Sequence, residues 1–392
     1  MEIMLAFGSA GKREKELSLF QIDVGREWKG GQHQSLYLAR ELKRKGLPFL
    51  FVVQLESPIH EKALEDELPV FPLRTKNGFK LSALFKLAQM MKRKKCLLAH
   101  FHDDHSLALG SAAASLAKVR YRVVSRDIYF PLRRGSPSRS RYKKKVDAII
   151  ANSEGIKKIL IEGSIEPEKI EVIPSGIDFS PFEKDAFKPS KDDYLRRELS
   201  LAPDDFLVGV MADLADHKSH RYLIQTTKIL KEHSAKIKLI IVGYGPLRME
   251  LNEQTRGFPA RDIAFILGFG DNSPEILASL NLFVLSSYQE RMKNSVLDAM
   301  ACRLPVVAVR EGGIPDVILP GETGLLVQPR NPLALAKAIL KLYNDRDLTS
   351  IIGRRGYEHV HRKFSCEAMA RKVVALYEKI GLKKWIRFHS RD

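Results

Sequence analysis

Short apolar runs recur along the chain, each followed by a polar or glycine-bearing turn and then by apolar positions three and four apart. The runs are LSLFQID (Leu17–Asp23), PFLFVV, YRVVSRD, VDAIIA, FLVGVM, KLIIV, IAFI, LFVL and PVVAV. Apolar on both faces, they read as strands of parallel sheets covered by helices on either side. In the first intervening helix, Leu36, Leu38, Ala39 and Leu42 form one apolar face and Gly46 supplies the stop. Phe79 to Lys95 reads as a basic amphipathic helix. Alternation of this kind predicts an α/β fold, and 392 residues are long for one core and comfortable for two.

The pattern breaks in two places. Residues 1–16 precede the first strand and read as a dispensable extension; their GSAGK piece lacks the spacing and the hydroxyl residue of a phosphate-binding loop. Residues 183–199, rich in Lys, Asp and Pro, read as a connection between domains. The division expected is therefore 17–182 for the first domain, 183–199 for the linker, 200–364 for the second domain, and 365–392 for a last helix with a basic tail.

Hydrophobic residues at 44% and charged ones at 29% are ordinary for a soluble globular protein. No apolar run approaches the roughly 20 residues of a membrane span, and no signal peptide is read, so the expected location is cytoplasmic. Cys96, Cys302 and Cys366 are far apart and odd in number, which indicates neither a disulfide framework nor a zinc site. Charge changes the picture more. An excess of 65 Lys and Arg over 47 Asp and Glu gives +18, favouring a phosphorylated substrate or an anionic membrane surface. The excess gathers at Lys92–Lys95, Arg133–Lys145 and Lys383–Arg391, where a solvated face is the competing reading. No nucleic-acid recognition module is visible, so nucleic acid is not expected as a partner. Trp385 and Phe388 in the tail read as an interfacial anchor.

Candidate chemistry concentrates between Leu282 and Pro315. The loop after LFVL carries Glu290, and Asp298 follows in the opening turns of a helix; the loop after PVVAV carries Gly312 and Gly313 ahead of Pro315. Helix N-termini present unpaired N–H groups and partial positive charge suited to phosphate, and carboxylates beside them accept hydrogen bonds from hydroxyls. A sugar joined to a phosphate fits that combination, although an acidic pair at this spacing is by itself common. Gly30 and Gly31 open a helix in the first domain, Lys218 precedes another in the second, and Gly243-Tyr244-Gly245-Pro246 and Gly268–Asp271 follow strands. His100, His102 and His105 with Asp103 and Asp104 invite a metal site. His-x-His on a strand puts both rings on one face, however, and no further ligand cluster accompanies them, so buried or site-lining histidines are expected instead.

In order, GGQ, PSGID (Pro174–Asp178), HK (His217-Lys218), VGYGP, Glu290-Arg291 with Leu297-Asp298-Ala299-Met300-Ala301, and GGIP (Gly312–Pro315) each stand at a strand end. Over roughly Leu17 to Ile380 this resembles the retaining GT-B glycosyltransferases of family 4, glycosyl transferases group 1. The sequence departs from the family's pattern at Asp213, where Arg is usual, at Arg126, where many relatives have His, and at Arg291 and Asp298, where Gly and Glu are common.

The resemblance implies two Rossmann-like domains facing each other across a cleft. It implies retaining, metal-independent transfer of a sugar from a nucleotide-diphosphate sugar to an acceptor hydroxyl, with no cofactor beyond that co-substrate. By the same resemblance Lys218 stabilises the leaving diphosphate, Glu290 holds the sugar and Asp298 the ribose. Gly30, Gly31, Gly243, Gly245, Gly268, Arg291, Gly312 and Gly313 approach the donor, while Arg126 and His102 line the reacting side. A glycan or glycolipid acceptor of the cell envelope, resembling the lipopolysaccharide core, and a peripheral position on the inner face of the cytoplasmic membrane complete the expectation. A degenerate GT-B scaffold and a GT-B nucleotide-sugar epimerase are the competing functions.

Overall fold

The computed structural model describes residues 18–75, 81–127, 131–132, 135–183, 194–258, 262–266, 273–287 and 294–390. Residues 1–16, Gly268, Glu290, Arg291 and part of the basic stretch after Asp127 lie outside them.

Two structural units divide the chain: residues up to Gly176 together with those from Cys366 onward, and Ile177–Ser365. In the first unit β1 (Ser18–Asp23), β2 (Phe49–Gln54), β3 (Val70–Leu73), β4 (Cys96–Phe101), β5 (Tyr121–Arg126), β6 (Ala148–Ala151) and β7 (Ile170–Val172) pair in the order β3-β2-β1-β4-β5-β6-β7. In the second, β8 (Phe206–Met211), β9 (Ile237–Val242), β10 (Ile263–Ile266), β11 (Leu282–Leu285), β12 (Val306–Val309) and β13 (Leu325–Val327) pair in the order β10-β9-β8-β11-β12-β13. Every pairing between these strands is parallel. A parallel strand buries both faces, which is why the apolar runs show no alternation; β8, β9, β11 and β12 are buried throughout.

The strand order reverses between β1 and β4 in one unit and between β8 and β11 in the other. At such a switch the connections leave toward opposite faces, so a crevice opens beyond the carboxyl ends of the two central strands. Polar groups concentrate at both places.

The chain leaves the first unit at Gly176, six residues before the boundary read from the sequence at 182. Phe179 is in the core of the second unit, and so is Leu195, which stands inside the expected linker and is fully buried. The polar composition of 183–199 conceals this apolar anchor and Leu199, which packs partly buried against the same core.

The last segment belongs to the first unit, where helix Cys366–Tyr377 and helix Lys383–His389 pack on the same face as helix Gly30–Arg44. The turn between them needs Gly381: its φ is 128°, and a Cβ there would come within 2.2 Å of the Tyr121 hydroxyl. Trp385 is only 9% exposed and joins that core, which corrects its reading as an interfacial anchor; Phe388 is 81% exposed. No described helix is long and apolar enough to cross a membrane.

Candidate functional site

At the β1/β4 switch, Asp23 ends β1 with its side chain 1% exposed. Its carboxylate accepts hydrogen bonds from Ser35 Oγ (2.6 Å), the Gly25 N–H (3.1 Å) and Gln32 Nε2 (3.3 Å). Burial and the Asp103 carboxylate nevertheless hold its pKa up, at about 6, so desolvation outweighs the three donors. Gln32 accepts from the Lys29 N–H (3.2 Å) at the start of helix Gly30–Arg44, so the loop after β1 and the helix it feeds share one anchor. Gly31 lets the backbone come close to Asp127: a Cβ there would lie 2.9 Å from an Asp127 carboxylate oxygen. The first turn of this helix thus already faces a carboxylate, whose pKa is raised chiefly by burial.

His100 in β4 and His102 just beyond it lie on one face, their ring centroids 4.2 Å apart. His100 Nδ1 is 2.7 Å from the Tyr377 hydroxyl, and Nε2 is 2.8 Å from Ser125 Oγ. His102 Nε2 is 2.7 Å from Gln21 Oε1, and Gln21 Nε2 donates to Tyr377 Oη at 3.0 Å. Burial pushes the pKa of His102 down to about 3 and that of His100 well below the ordinary range, so both rings are neutral. They line a cavity of about 50 Å³ with Gly31, Ser125, Arg126 and Asp127. Pro174 and Ser175 also line it, held by Gln34: its amide donates to the Gly176 carbonyl (2.9 Å) and its oxygen accepts the Gly176 N–H (2.6 Å). Arg126 is buried beneath the wall of this cavity. Its guanidinium lies 5.2 Å from the Tyr142 ring centroid, donates to the Tyr142 hydroxyl (3.3 Å) and stands 3.6 Å from Asp104. It is tied into the packing on that side, whereas Asp127 turns toward Gly31.

In the second unit the residues after β8 form the turn Asp216–Lys218 and then helix His220–Lys231. Ser286, directly after β11, donates from Oγ to the Lys218 carbonyl at 2.9 Å. This pins the lysine's turn to the loop that leads to Glu290 and to the helix bearing Asp298. Asp213, standing where the family usually has Arg, contributes its carbonyl, which accepts from His220 Nε2 (2.9 Å). Ser219 Oγ, Ser287 Oγ and His220 Nδ1 are buried with no hydrogen-bond partner among the described residues. Buried polar atoms of this kind cost about 1–3 kcal/mol each and call for an explanation.

Gly245 packs its backbone onto that of Leu214; a Cβ would lie 2.4 Å from the Leu214 carbonyl oxygen. Leu214 donates its N–H to the Tyr244 carbonyl (2.6 Å) and accepts the Leu247 N–H (3.1 Å). The VGYGP turn and the turn before Lys218 are therefore one assembly. Asp298 lies in helix Asn294–Ala301; surrounding protein lifts its pKa to about 7 by desolvation. Gly312 takes a φ of 57°, and the segment after Gly313 is the three-residue turn Ile314–Asp316 rather than a regular helix start.

Within the first unit Gly30, Gly31, His102 and Arg126 gather at the sheet's carboxyl edge, and within the second so do Lys218, Gly243, Gly245, Asp298, Gly312 and Gly313. Sequence reasoning missed Gln21, Asp127 and Tyr377. Gln21 was detectable, as an amide at a fully buried position in an apolar strand. Tyr377 was not, since only the return of the chain brings it to β1 and β4.

A model of the Glycosyltransferase Family 4 matches residues 28–180, and one of the Glycosyl transferases group 1 matches 205–345. The capsular polysaccharide biosynthesis glycosyltransferase CapM of Staphylococcus aureus is 28% identical over 235 residues, 58% of this chain and 60% of that protein. The N-acetyl-alpha-D-glucosaminyl L-malate synthase of Bacillus anthracis is 30% identical over 193 residues, 48% and 50% of the two chains. The matched segments span half to three fifths of these relatives' length. Among solved structures, HepE of Anabaena in complex with UDP is 20% identical with a TM-score of 0.76, covering 93% of this chain and 100% of that one. A glycosyltransferase of Rickettsia africae is 16% identical, also at 0.76, covering 93% and 98%. With both units matched in sequence and the whole architecture shared with solved structures, the chain belongs to the GT-B glycosyltransferases of family 4, group 1.

Proposed function

We propose that the chain is a retaining glycosyltransferase that moves a sugar from a nucleotide-diphosphate sugar to an acceptor hydroxyl without a metal ion. The observation that carries the reading is the hydrogen bond from Ser286 to the Lys218 carbonyl. It fixes the backbone of the turn that carries Lys218 beyond the β8/β11 switch, beside the start of the loop that leads in sequence to Glu290. Departure of a nucleoside diphosphate develops negative charge on its phosphates. Lys218, with the orphaned hydroxyls of Ser219 and Ser287, offers a cation and donors held in advance of that charge. Glu290 hydrogen-bonds sugar hydroxyls, and Asp298 takes the ribose.

No covalent nucleophile is assigned: the acceptor attacks from the face the diphosphate leaves, and the leaving phosphate takes its proton. HepE of Anabaena was crystallised with UDP and with UDP-glucose, which makes uridine donors the first to try. Nucleoside diphosphate release by the full chain across a panel of nucleotide sugars and glycan acceptors tests the activity. Retention is read from the product's anomeric coupling in a proton NMR spectrum; an inverted product, or loss of turnover in chelator, would overturn the mechanism.

A glycolipid or lipopolysaccharide-core-like acceptor and a peripheral place on an anionic membrane extend the reading. Helix Leu81–Arg93 exposes Leu81 (65%) and Phe85 (60%) beside Lys86, Lys92 and Arg93, and helix Pro137–Lys144 in the same layer exposes Lys143 and Lys144. A polybasic surface is drawn to anionic lipid by about 1 kcal/mol per residue. Flotation with anionic but not neutral vesicles, weakening with salt, is expected; equal binding to both sinks it.

A further inference from the structure

We propose that Tyr377 and Gln21 are positioning residues that wire His100, His102 and Ser125 into one polarised chain, whose two ends offer the cavity one hydrogen-bond donor and one acceptor. The chain is a reader of hydroxyls. The ligand class rests on the glycosyltransferase reading; the wiring does not.

The contacts constrain where each proton sits. Gln21 Nε2 donates to Tyr377 Oη, so that hydroxyl gives its own hydrogen to His100 Nδ1. With Nδ1 accepting, the proton of neutral His100 sits on Nε2 and is donated to Ser125 Oγ. Ser125 then has its hydrogen free for the cavity it lines. At the other end Gln21 Oε1 accepts from His102 Nε2–H, which leaves His102 Nδ1 as a bare acceptor on the same cavity.

A second arrangement satisfies all four contacts with every donor reversed. The Gln21 amide turns over, both histidines carry their proton on Nδ1, Ser125 gives its hydrogen to His100, and His102 Nδ1–H points outward. In either arrangement the two histidines share a tautomer, and the cavity meets one donor and one acceptor. A hydroxyl, which both donates and accepts, matches either polarity; an ammonium or a carboxylate matches neither. Among the described residues Tyr377 alone hydrogen-bonds to both halves, and it comes from the helix by which the chain returns to the first unit.

Two measurements on the full chain test this. Nitrogen-15 NMR of histidine-labelled protein, with His100 and His102 assigned from single variants, reads the tautomers without any substrate. The same tautomer on both rings is expected. Tyr377→Phe should leave His100 and His102 uncorrelated, with two tautomers populated at His102. Gln21→Glu removes the amide donor. Its carboxylate accepts from both His102 and Tyr377, so His102 should keep its proton on Nε2 while His100 moves its own to Nδ1. Thermal melting of each variant checks that it is folded, and either variant alone suffices for the tautomer test.

The second measurement is binding of UDP-glucose, its singly deoxygenated analogues and UDP alone. One deoxy analogue should bind roughly tenfold more weakly than UDP-glucose, a hydroxyl's worth of lost pairing. In Tyr377→Phe that penalty should shrink to less than threefold, with affinity for UDP unchanged. Different tautomers on the two rings of the unaltered protein, or a single unchanged His102 tautomer in Tyr377→Phe, overturns the wiring. An undiminished deoxy penalty in a variant whose tautomers have relaxed overturns the hydroxyl-reading role. Failure of UDP-glucose to bind the unaltered chain at all counts against the donor reading, and the tautomer result still decides the wiring.

Discussion

The two units share a topology and differ in how they hold their polar groups. In the first, side chains do the holding: Gln21, His100, Tyr377 and Ser125 bond one another, Asp23 takes three donors, and Gln34 clasps Gly176 on both backbone atoms. In the second, backbone does most of it: the Lys218 carbonyl meets Ser286, the Asp213 carbonyl meets His220, and Gly245 lies against Leu214. Side-chain networks fix donor and acceptor polarity, which suits discrimination among hydroxyls. Turns held through their carbonyls leave the Ser219 and Ser287 hydroxyls without a partner among the described residues, which suits a phosphate. The same fold thus prepares one edge for reading and the other for charge.

The largest expected break in this comparison is Lys218→Ala. If the second unit stabilises the leaving diphosphate, kcat and kcat/KM should fall together by roughly 100- to 1,000-fold. A tautomer measurement on His100 and His102 should not notice the change. Undiminished turnover in the variant would remove Lys218 from the mechanism.

Gly245→Ala comes next, because the added methyl would meet the Leu214 backbone, which cannot swing aside as a side chain does. A loss of about 1–3 kcal/mol in the stability of the second unit is expected, with weakened UDP binding. Gly31→Ala, whose methyl would meet the movable Asp127 carboxylate, should cost less in the first unit. Equal losses from urea titrations of the two variants would contradict the contrast between backbone and side-chain holding.

The smallest effect is in pH, where the units should respond with opposite sign. Asp298 has its folded pKa raised from 3.8 to about 7, so its stabilising contribution is present below pH 4 and is lost as pH rises toward 7. Asp298→Asn should therefore stabilise the second unit most at pH 8, less at pH 5 and little below pH 4, as read by hydrogen exchange at β11 and β12. His100 and His102 are depressed below 6.5, so their contribution is present above that value and is lost as pH falls. Both tryptophans, Trp28 and Trp385, lie in the first unit, so the urea midpoint followed by tryptophan fluorescence reports on that unit. It should drop between pH 7.5 and 6, above the range where Asp23 acts in the opposite sense. A midpoint that rises over that interval would show that the imidazoles do not control the first unit's response.

Much of this was legible in the chain before folding. Strands buried on both faces must be apolar along their whole length, so β8, β9, β11 and β12 stand out as runs, and glycine-bearing turns follow β9 and β12. His-x-His on a strand put two rings on one face by the strand's period of two, as their 4.2 Å separation shows. The placement of Lys218 and Gly245 in turns after strands, and of Asp298 in the helix after β11, followed from local order in the same way.

Local order and long-range meeting are different kinds of information, and only the tertiary structure supplied the second. Gln21 and Tyr377 are 356 positions apart, and their hydrogen bond exists because the last helices return to the first unit. Leu195 looks like one more residue of a polar linker until a core closes over it. Trp385 among its basic neighbours looks like a surface anchor until helix packing buries it. Periodicity determines which face of an element is apolar, because that is a property of consecutive residues. Which distant polar atoms share a proton depends on where separate elements come to rest, and no stretch of sequence contains that.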